Sequence, residues 1–123
     1  MNTTTLNSPR ILTISIWILR VLVALMFLAA ATMKLTSQPM MVAEFEQVGI
    51  GQWFRFLTGG LELIGAIAVL VPRTSILGAL LLLLVDAGAF VAQIAVLHMD
   101  WVHTIVIGAV IALLIYLQRR ATA

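Results

Sequence analysis

The sequence predicts an all-α protein: an antiparallel four-helix transmembrane bundle with a short amphipathic segment between helices 1 and 2. The first observation is composition, since the 123 residues are 63% hydrophobic and only 10% charged, whereas a soluble domain averages about 25% charged residues. The second is the arrangement of the apolar residues in four long stretches. A transmembrane helix needs about 20 mainly apolar residues, so each stretch is a candidate span.

These stretches define a single transmembrane domain, residues 11–118, with a polar tail at 1–10 and a basic tail at 119–123. We expect the four helices at about 11–35, 54–71, 75–97 and 101–117. The Ala-Ala-Ala sequence at 29–31 is typical of a signal-peptide cleavage site. The apolar run before it is too long for a signal peptide and contains Arg20, so we expect an uncleaved anchor.

Polar breaks separate the spans. Residues 36–39 end the first helix, because the residue before a proline disfavours the helical conformation. Apolar residues then alternate with Glu44, Glu46 and Gln47, which predicts a short amphipathic helix on the outer surface. Span two ends at Pro72, and the connection at Met99 and Asp100 is short enough to make spans three and four an antiparallel hairpin.

Small residues mark the helix faces that can approach each other closely. The positions that we expect at helix contacts are Gly59, Gly65, Ala66, Gly88, Ala92, Gly108 and Ala112. Span four has no ionisable residue in its interior, so we expect it to be the helix that faces lipid or a partner most.

Three ionisable residues, Arg20, Glu62 and Asp86, are predicted to lie at one depth in the membrane. Arg20 follows Arg10 by ten residues, and the two carboxylates lie eleven and thirteen residues from Arg73. At about 1.5 Å per helical residue, each is roughly 15–20 Å from the face that the two arginines mark, near the centre of a core about 30 Å thick. The pattern predicts a charge cluster inside the bundle.

Two hypotheses fit the cluster. It is either a structural group that fixes helix register or a functional site, such as a proton relay or a polar ligand site. Lys34 either extends to the outer interface or closes an outward-facing pocket, where it would bind an anionic head group or a quinone oxygen. Gln93 lies on the same helical face as Asp86. We expect it either to form a hydrogen bond between helices or to extend a polar path from Asp86 toward the outer surface.

The composition also excludes several classes of function. The chain has no cysteine, which excludes thiol-disulfide chemistry of its own and cysteine-ligated metals. Lysine and arginine residues do not cluster along the sequence, so we do not expect the protein to bind nucleic acid. His98 and His103 flank the outer hairpin and are expected to be interfacial rather than ligands of haem or a metal. We identify no catalytic residue and no metal ligand.

Basic residues favour one orientation. With four spans, Arg10, Arg73, Arg119 and Arg120 share a side, and Lys34 and Arg55 lie on the other. The positive-inside rule therefore places both termini in the cytoplasm. We expect an integral membrane protein, with a bacterial inner membrane as its location.

Two segments resemble the DoxX-like family of small four-helix membrane proteins. Residues 20–39, RVLVALMFLAAATMKLTSQP, resemble the family's phenylalanine, small residues and Lys-Leu at the end of helix one. Residues 57–73, LTGGLELIGAIAVLVPR, resemble its Gly-x-x-Glu-x-x-Gly-Ala element in helix two. Lys34 and Glu62 match the family's polar positions. Asp86 and Gln93 depart from it, since relatives are usually apolar at the first and often have histidine near the second.

The resemblance implies broad functions. Relatives serve as membrane subunits of sulfur- and quinone-linked oxidoreductases, accompany thiol-stress enzymes or act as assembly chaperones. We expect a non-enzymatic membrane module that binds a small hydrophobic molecule, with quinone as a candidate cofactor, or a partner protein in a redox or assembly complex. The alternatives are an oligomeric proton-coupled transporter or channel subunit, an enzyme subunit that contributes a quinone site, and a purely structural or chaperone subunit.

Overall fold

A computed structural model describes residues 9–98 and 100–122 of the chain. Residues 1–8 of the predicted polar tail, Met99 of the predicted hairpin, and Ala123 lie outside this range. All regular secondary structure in the described residues is helical. The helices are α1 (Pro9–Leu35), α2 (Pro39–Val48), α3 (Gln52–Leu70), α4 (Ser75–Ala92), a π-helix (Gln93–Leu97) that continues α4, and α5 (Val102–Thr122).

Four of these segments are long and apolar enough to cross a membrane: α1, α3, α4 with its π-helix, and α5. They pack against one another, while α2 is too short to span. The prediction of an all-helical protein with four spans and a short intervening helix is confirmed. The boundary that differs most from the prediction is the end of α5, which continues through Arg119 and Arg120. Arginines in a last helical turn are favourable beside its partial negative charge.

The core between the four spans consists of aliphatic and small side chains. Its fully buried members include Val23, Val69, Leu82, Ile111 and Leu114. Ile111 and Leu114 belong to α5, which was expected to be the most exposed span. In the most apolar 18 residues of α5, 22% of the residues are buried, compared with 11% in the third span. Span four is therefore not the most exposed helix of the chain.

Two glycines bring α3 and α4 close together. A Cβ atom added to Gly78 would lie 2.8 Å from the Cβ of Ala68, the carbonyl oxygen of Gly65 and the backbone nitrogen of Val69. A Cβ at Gly65 would lie 2.6 Å from Leu82. Backbones can approach this closely only where side chains are absent, so Gly65 and Gly78 set the spacing of these two helices.

The predicted packing positions differ in their surroundings. Gly59 and Ala66 are buried like Gly65, and Gly59 lies against Lys34 and Leu35 of α1. Gly88 and Ala112 are exposed and Ala92 is half-buried. A Cβ at Gly88 would meet no atom within 4 Å, so this position makes no close helix contact within the chain. The spacing of small residues on one helix does not show which face a neighbour covers.

A glycine cap and the hydrogen bonds of one arginine shape the connection of α2 to α1 and α3. Gly49 ends α2 with φ at 84° and donates its backbone N–H to the carbonyl of Phe45, a left-handed cap that glycine adopts without steric cost. Arg55 is buried and donates to the Lys34 carbonyl at the end of α1 and to Gln52 Oε1 at 2.8 Å. The Arg55 side chain thus satisfies one of the carbonyls that the end of α1 leaves without a helical partner.

Candidate functional site: a lipophilic cavity with a polar end

A cavity of about 480 Å³ lies between α1, α3, α4 and α5 and is covered by α2. Most of its wall is apolar and includes three phenylalanines, Phe27, Phe45 and Phe54. This volume is in the range of small-molecule pockets, which are mainly apolar with a few placed polar groups. The polar side chains in its wall are Lys34, Glu44, Thr58, Glu62, Asp86, Gln93, His103 and Thr104.

Lys34 and Glu62 form an ion pair across the cavity wall. The Lys34 Nζ lies 2.8 Å from Glu62 Oε1, and the two side chains are 14% and 5% exposed. Their close approach is possible because Gly59, one turn before Glu62, lets α3 lie against the Lys34 side chain. The lysine therefore turns inward to a carboxylate instead of extending to the interface, and the pair carries no net charge.

Gln93, His103 and Thr104 form a hydrogen-bonded group on a second wall. Thr104 Oγ1 donates to Gln93 Oε1 at 2.5 Å, and Gln93 Nε2 lies 3.1 Å from His103 Nε2. Gln93 begins the π-helix, a rare conformation that often occurs at functional sites. These contacts hold the end of the third span against the start of α5.

Asp86 is buried at 8% exposure in the middle of α4 and lines the cavity. Its Oδ2 lies 2.8 Å from the position of a Cβ at Gly108, so the carboxyl group fits only because α5 has a glycine there. Within the described part of the chain, Asp86 makes no side-chain hydrogen bond and no ion pair. His103 is the residue that acts on it electrostatically.

The cover, α2, presents one helical face to the cavity. Met41, Glu44, Phe45 and Val48 line it at spacings of three, four and seven residues, which is one side of an α-helix. The rings of Phe45 and Phe54 pack with centroids 6.0 Å apart. Burial raises the pKa of Glu44, while the charges of Lys34 and His103 act in the opposite direction. Glu44 therefore holds a proton more readily than an exposed glutamate does.

Arg20 lies apart from both carboxylates. It donates to Gln118 Oε1 at 2.8 Å and to Ser75 Oγ at 3.2 Å, and its guanidinium stacks 4.7 Å from the Trp17 ring. Ser75 is eleven residues before Asp86 on α4, or roughly 16 Å along the helix. The predicted three-residue charge cluster is therefore not formed, because neutral hydrogen-bond acceptors at one end of the bundle satisfy the arginine.

The structure does bring Lys34, Glu62, Asp86 and Gln93 to one cavity. Sequence reasoning missed Glu44 and the pairing of Gln93 with His103 and Thr104. A signal for Glu44 was available, because it is spaced from Met41 and Val48 so that all three lie on one side of a helix. The partners of Arg20 left no such signal, since serine and glutamine at span ends are ordinary residues.

The cavity provides groups that can bind a ligand. Within residues 9–98 and 100–122, no group of three histidine, aspartate or glutamate side chains is arranged to hold a metal ion. The cavity combines an apolar volume, aromatic rings, a neutral ion pair, a buried carboxyl group and a hydrogen-bonded amide. These can hold a mainly apolar molecule and orient its polar end.

Comparison with known families identifies the chain. A model described as the DoxX-like family matches residues 18–117. The chain belongs to the DoxX-like family. No curated protein and no solved structure matches it. In this DoxX-like protein the matched range contains Lys34, Glu62, Asp86 and Gln93, and Glu44 of α2 as well.

Proposed function

We propose that this DoxX-like membrane protein is a non-catalytic module that binds a small hydrophobic molecule with a polar end. The observation that carries the proposal is the mainly apolar cavity, which contains Asp86, Gln93 and the Lys34–Glu62 pair. A purely structural charge group would need no open volume beside it. A neutral amphiphile such as a quinone is one molecule that such a cavity accommodates.

Two glycines supply a matched test of this proposal. A Cβ at either Gly88 or Gly60 meets no atom within 4 Å, but only Gly88 lines the cavity. Gly88→Leu therefore places a side chain in the cavity, and Gly60→Leu places the same side chain elsewhere on a spanning helix. We expect native mass spectrometry in mild detergent to show a co-purified molecule on the wild type and on Gly60→Leu, and its loss from Gly88→Leu.

The same molecule retained by all three proteins would contradict a cavity site. If nothing co-purifies with the wild type, and it binds neither an added decyl quinone nor an added aromatic ammonium compound, the proposal fails. Proton-coupled transport, quinone chemistry in a larger enzyme, and a structural or chaperone role would then remain as hypotheses. Equal helix content by circular dichroism in the two variants serves as the folding control.

We further propose that the protein works in a bacterial inner membrane with both termini in the cytoplasm, as part of a redox or assembly complex or a homo-oligomer. The orientation is supported by the exposed Arg10, Arg73, Arg119 and Arg120. The two basic residues assigned to the other side are Lys34, which pairs with Glu62, and Arg55, which is buried. The association is supported by the family membership alone.

A further inference from the structure

The cavity contains more acidic than basic groups. Three carboxyl groups line it, Glu44, Glu62 and Asp86, and its one lysine, Lys34, is paired with Glu62. His103 acts electrostatically on both Glu44 and Asp86, so these two residues and the histidine lie in one region. Once the ion pair is set aside, two carboxyl groups remain.

Asp86 is the carboxyl group that most needs a partner. It is 8% exposed, it faces the cavity, and among the described residues it has no hydrogen bond or ion pair. A carboxylate removed from water is costly unless a cation or hydrogen-bond donors compensate it. The side chain of Gln93 does not provide this compensation, because it is engaged with His103 and Thr104.

Aromatic rings also line the cavity. Phe27, Phe45 and Phe54 are in its wall. An ammonium group is attracted to the face of an aromatic ring, and this attraction grows when water is excluded. A carboxyl group without a partner, aromatic rings and an apolar volume together form the chemistry that recognises organic ammonium ions.

We propose that the polar end of the molecule bound in the cavity is an organic ammonium cation, placed beside Asp86 with Glu44 contributing from the α2 cover. The proposal rests on the proposed binding function and names the class of its ligand: a hydrophobic amine or quaternary ammonium compound. The cation forms the direct ion pair that Asp86 lacks among the described residues, where His103 acts on it without an ion pair. The Lys34–Glu62 pair stays neutral and repels it little.

The test compares two probes of nearly equal shape. Benzyltrimethylammonium carries a permanent positive charge, and 2,2-dimethylpropylbenzene has carbon in place of the nitrogen and no charge. Binding of each labelled probe is measured by equilibrium dialysis against the full chain in phosphatidylcholine nanodiscs, with empty nanodiscs subtracted. These zwitterionic lipids have no net charge, so retention of the cation by the membrane surface is small and is removed by the subtraction.

We expect the cationic probe to bind the wild type about tenfold more tightly than the uncharged probe, since opposite charges attract more strongly where water is partly excluded. Asp86→Asn should remove most of this preference and leave the affinity for the uncharged probe within about twofold. Glu44→Gln, on the α2 cover outside the spans, should reduce the preference by a smaller factor. Lys34 and Glu62 are unchanged in both variants.

Equal affinities of the wild type for the two probes would overturn the inference and leave the proposed function standing with a neutral ligand. Failure of both probes to bind, while Gly88→Leu still removes a co-purified molecule, would also overturn the inference alone. If Asp86→Asn does not fold, the wild-type preference and its reduction in Glu44→Gln decide. An unchanged preference in a folded Asp86→Asn protein would assign the cation to another group.

Discussion

At the scale of single residues, the main difference from the sequence prediction concerns Arg20. Counting residues from Arg10 and Arg73 assumed that each helix starts at the same level. The partners of Arg20 show instead that it lies level with Ser75, the first residue of α4, and with Gln118 near the end of α5. A buried guanidinium can thus be satisfied by neutral oxygens, and sequence alone does not rank these against a carboxylate.

The Arg20–Gln118 hydrogen bond predicts a measurable contribution to stability. Gln118→Leu removes the acceptor, so we expect the free energy of unfolding to fall by about 1.5–3 kcal/mol, as for hydrogen bonds to charged groups. Gln118→Glu keeps an acceptor oxygen at the same place and is the matched control, with little loss expected. The measurement is unfolding by dodecyl sulfate in mixed micelles, followed by circular dichroism. Equal stability of the two variants would show that the bond contributes little.

At the scale of helices, sequence patterns predicted which elements form but not which faces meet. The four spans and the short helix follow from apolar runs and from breaks at Pro39 and Pro72, because these signals are local. The partner of a small residue is not local. A Cβ at Gly78 would lie 2.8 Å from backbone atoms of α3 and this glycine was not singled out, whereas Gly88 was predicted at a contact and faces open space.

The α3–α4 contact predicts opposite results for two glycine substitutions. Gly78→Ala would place its Cβ 2.8 Å from two backbone atoms of α3, so the helices must separate and we expect a loss of about 1–3 kcal/mol, as for overpacking. Gly60→Ala meets no atom within 4 Å and should be neutral or slightly stabilising, since alanine favours helix over glycine. The same micelle titration measures both. A Gly78→Ala protein as stable as Gly60→Ala would show that this contact is loosely packed.

At the scale of the whole molecule, the charges divide into two kinds. Arg20, Lys34 and Arg55 are engaged inside the chain, and Arg10, Arg73, Arg119 and Arg120 are exposed near helix ends. Basic residues near the ends of the spans are the ones that the positive-inside rule counts. The proposed orientation therefore rests on the exposed arginines, whereas the internal basic residues contribute to packing and to the cavity wall.

This division predicts the result of a labelling experiment, because the chain has no cysteine and any single cysteine reports one position. With both termini in the cytoplasm, Ala121→Cys at the end of α5 should be protected from a membrane-impermeant maleimide in intact spheroplasts and react after lysis. Ile50→Cys, exposed between α2 and α3, should react before lysis. The reverse pattern would overturn the orientation, and would place the cavity cover α2 on the cytoplasmic side. Since α2 covers the cavity, the labelling result also decides from which side of the membrane a ligand passing that cover would enter.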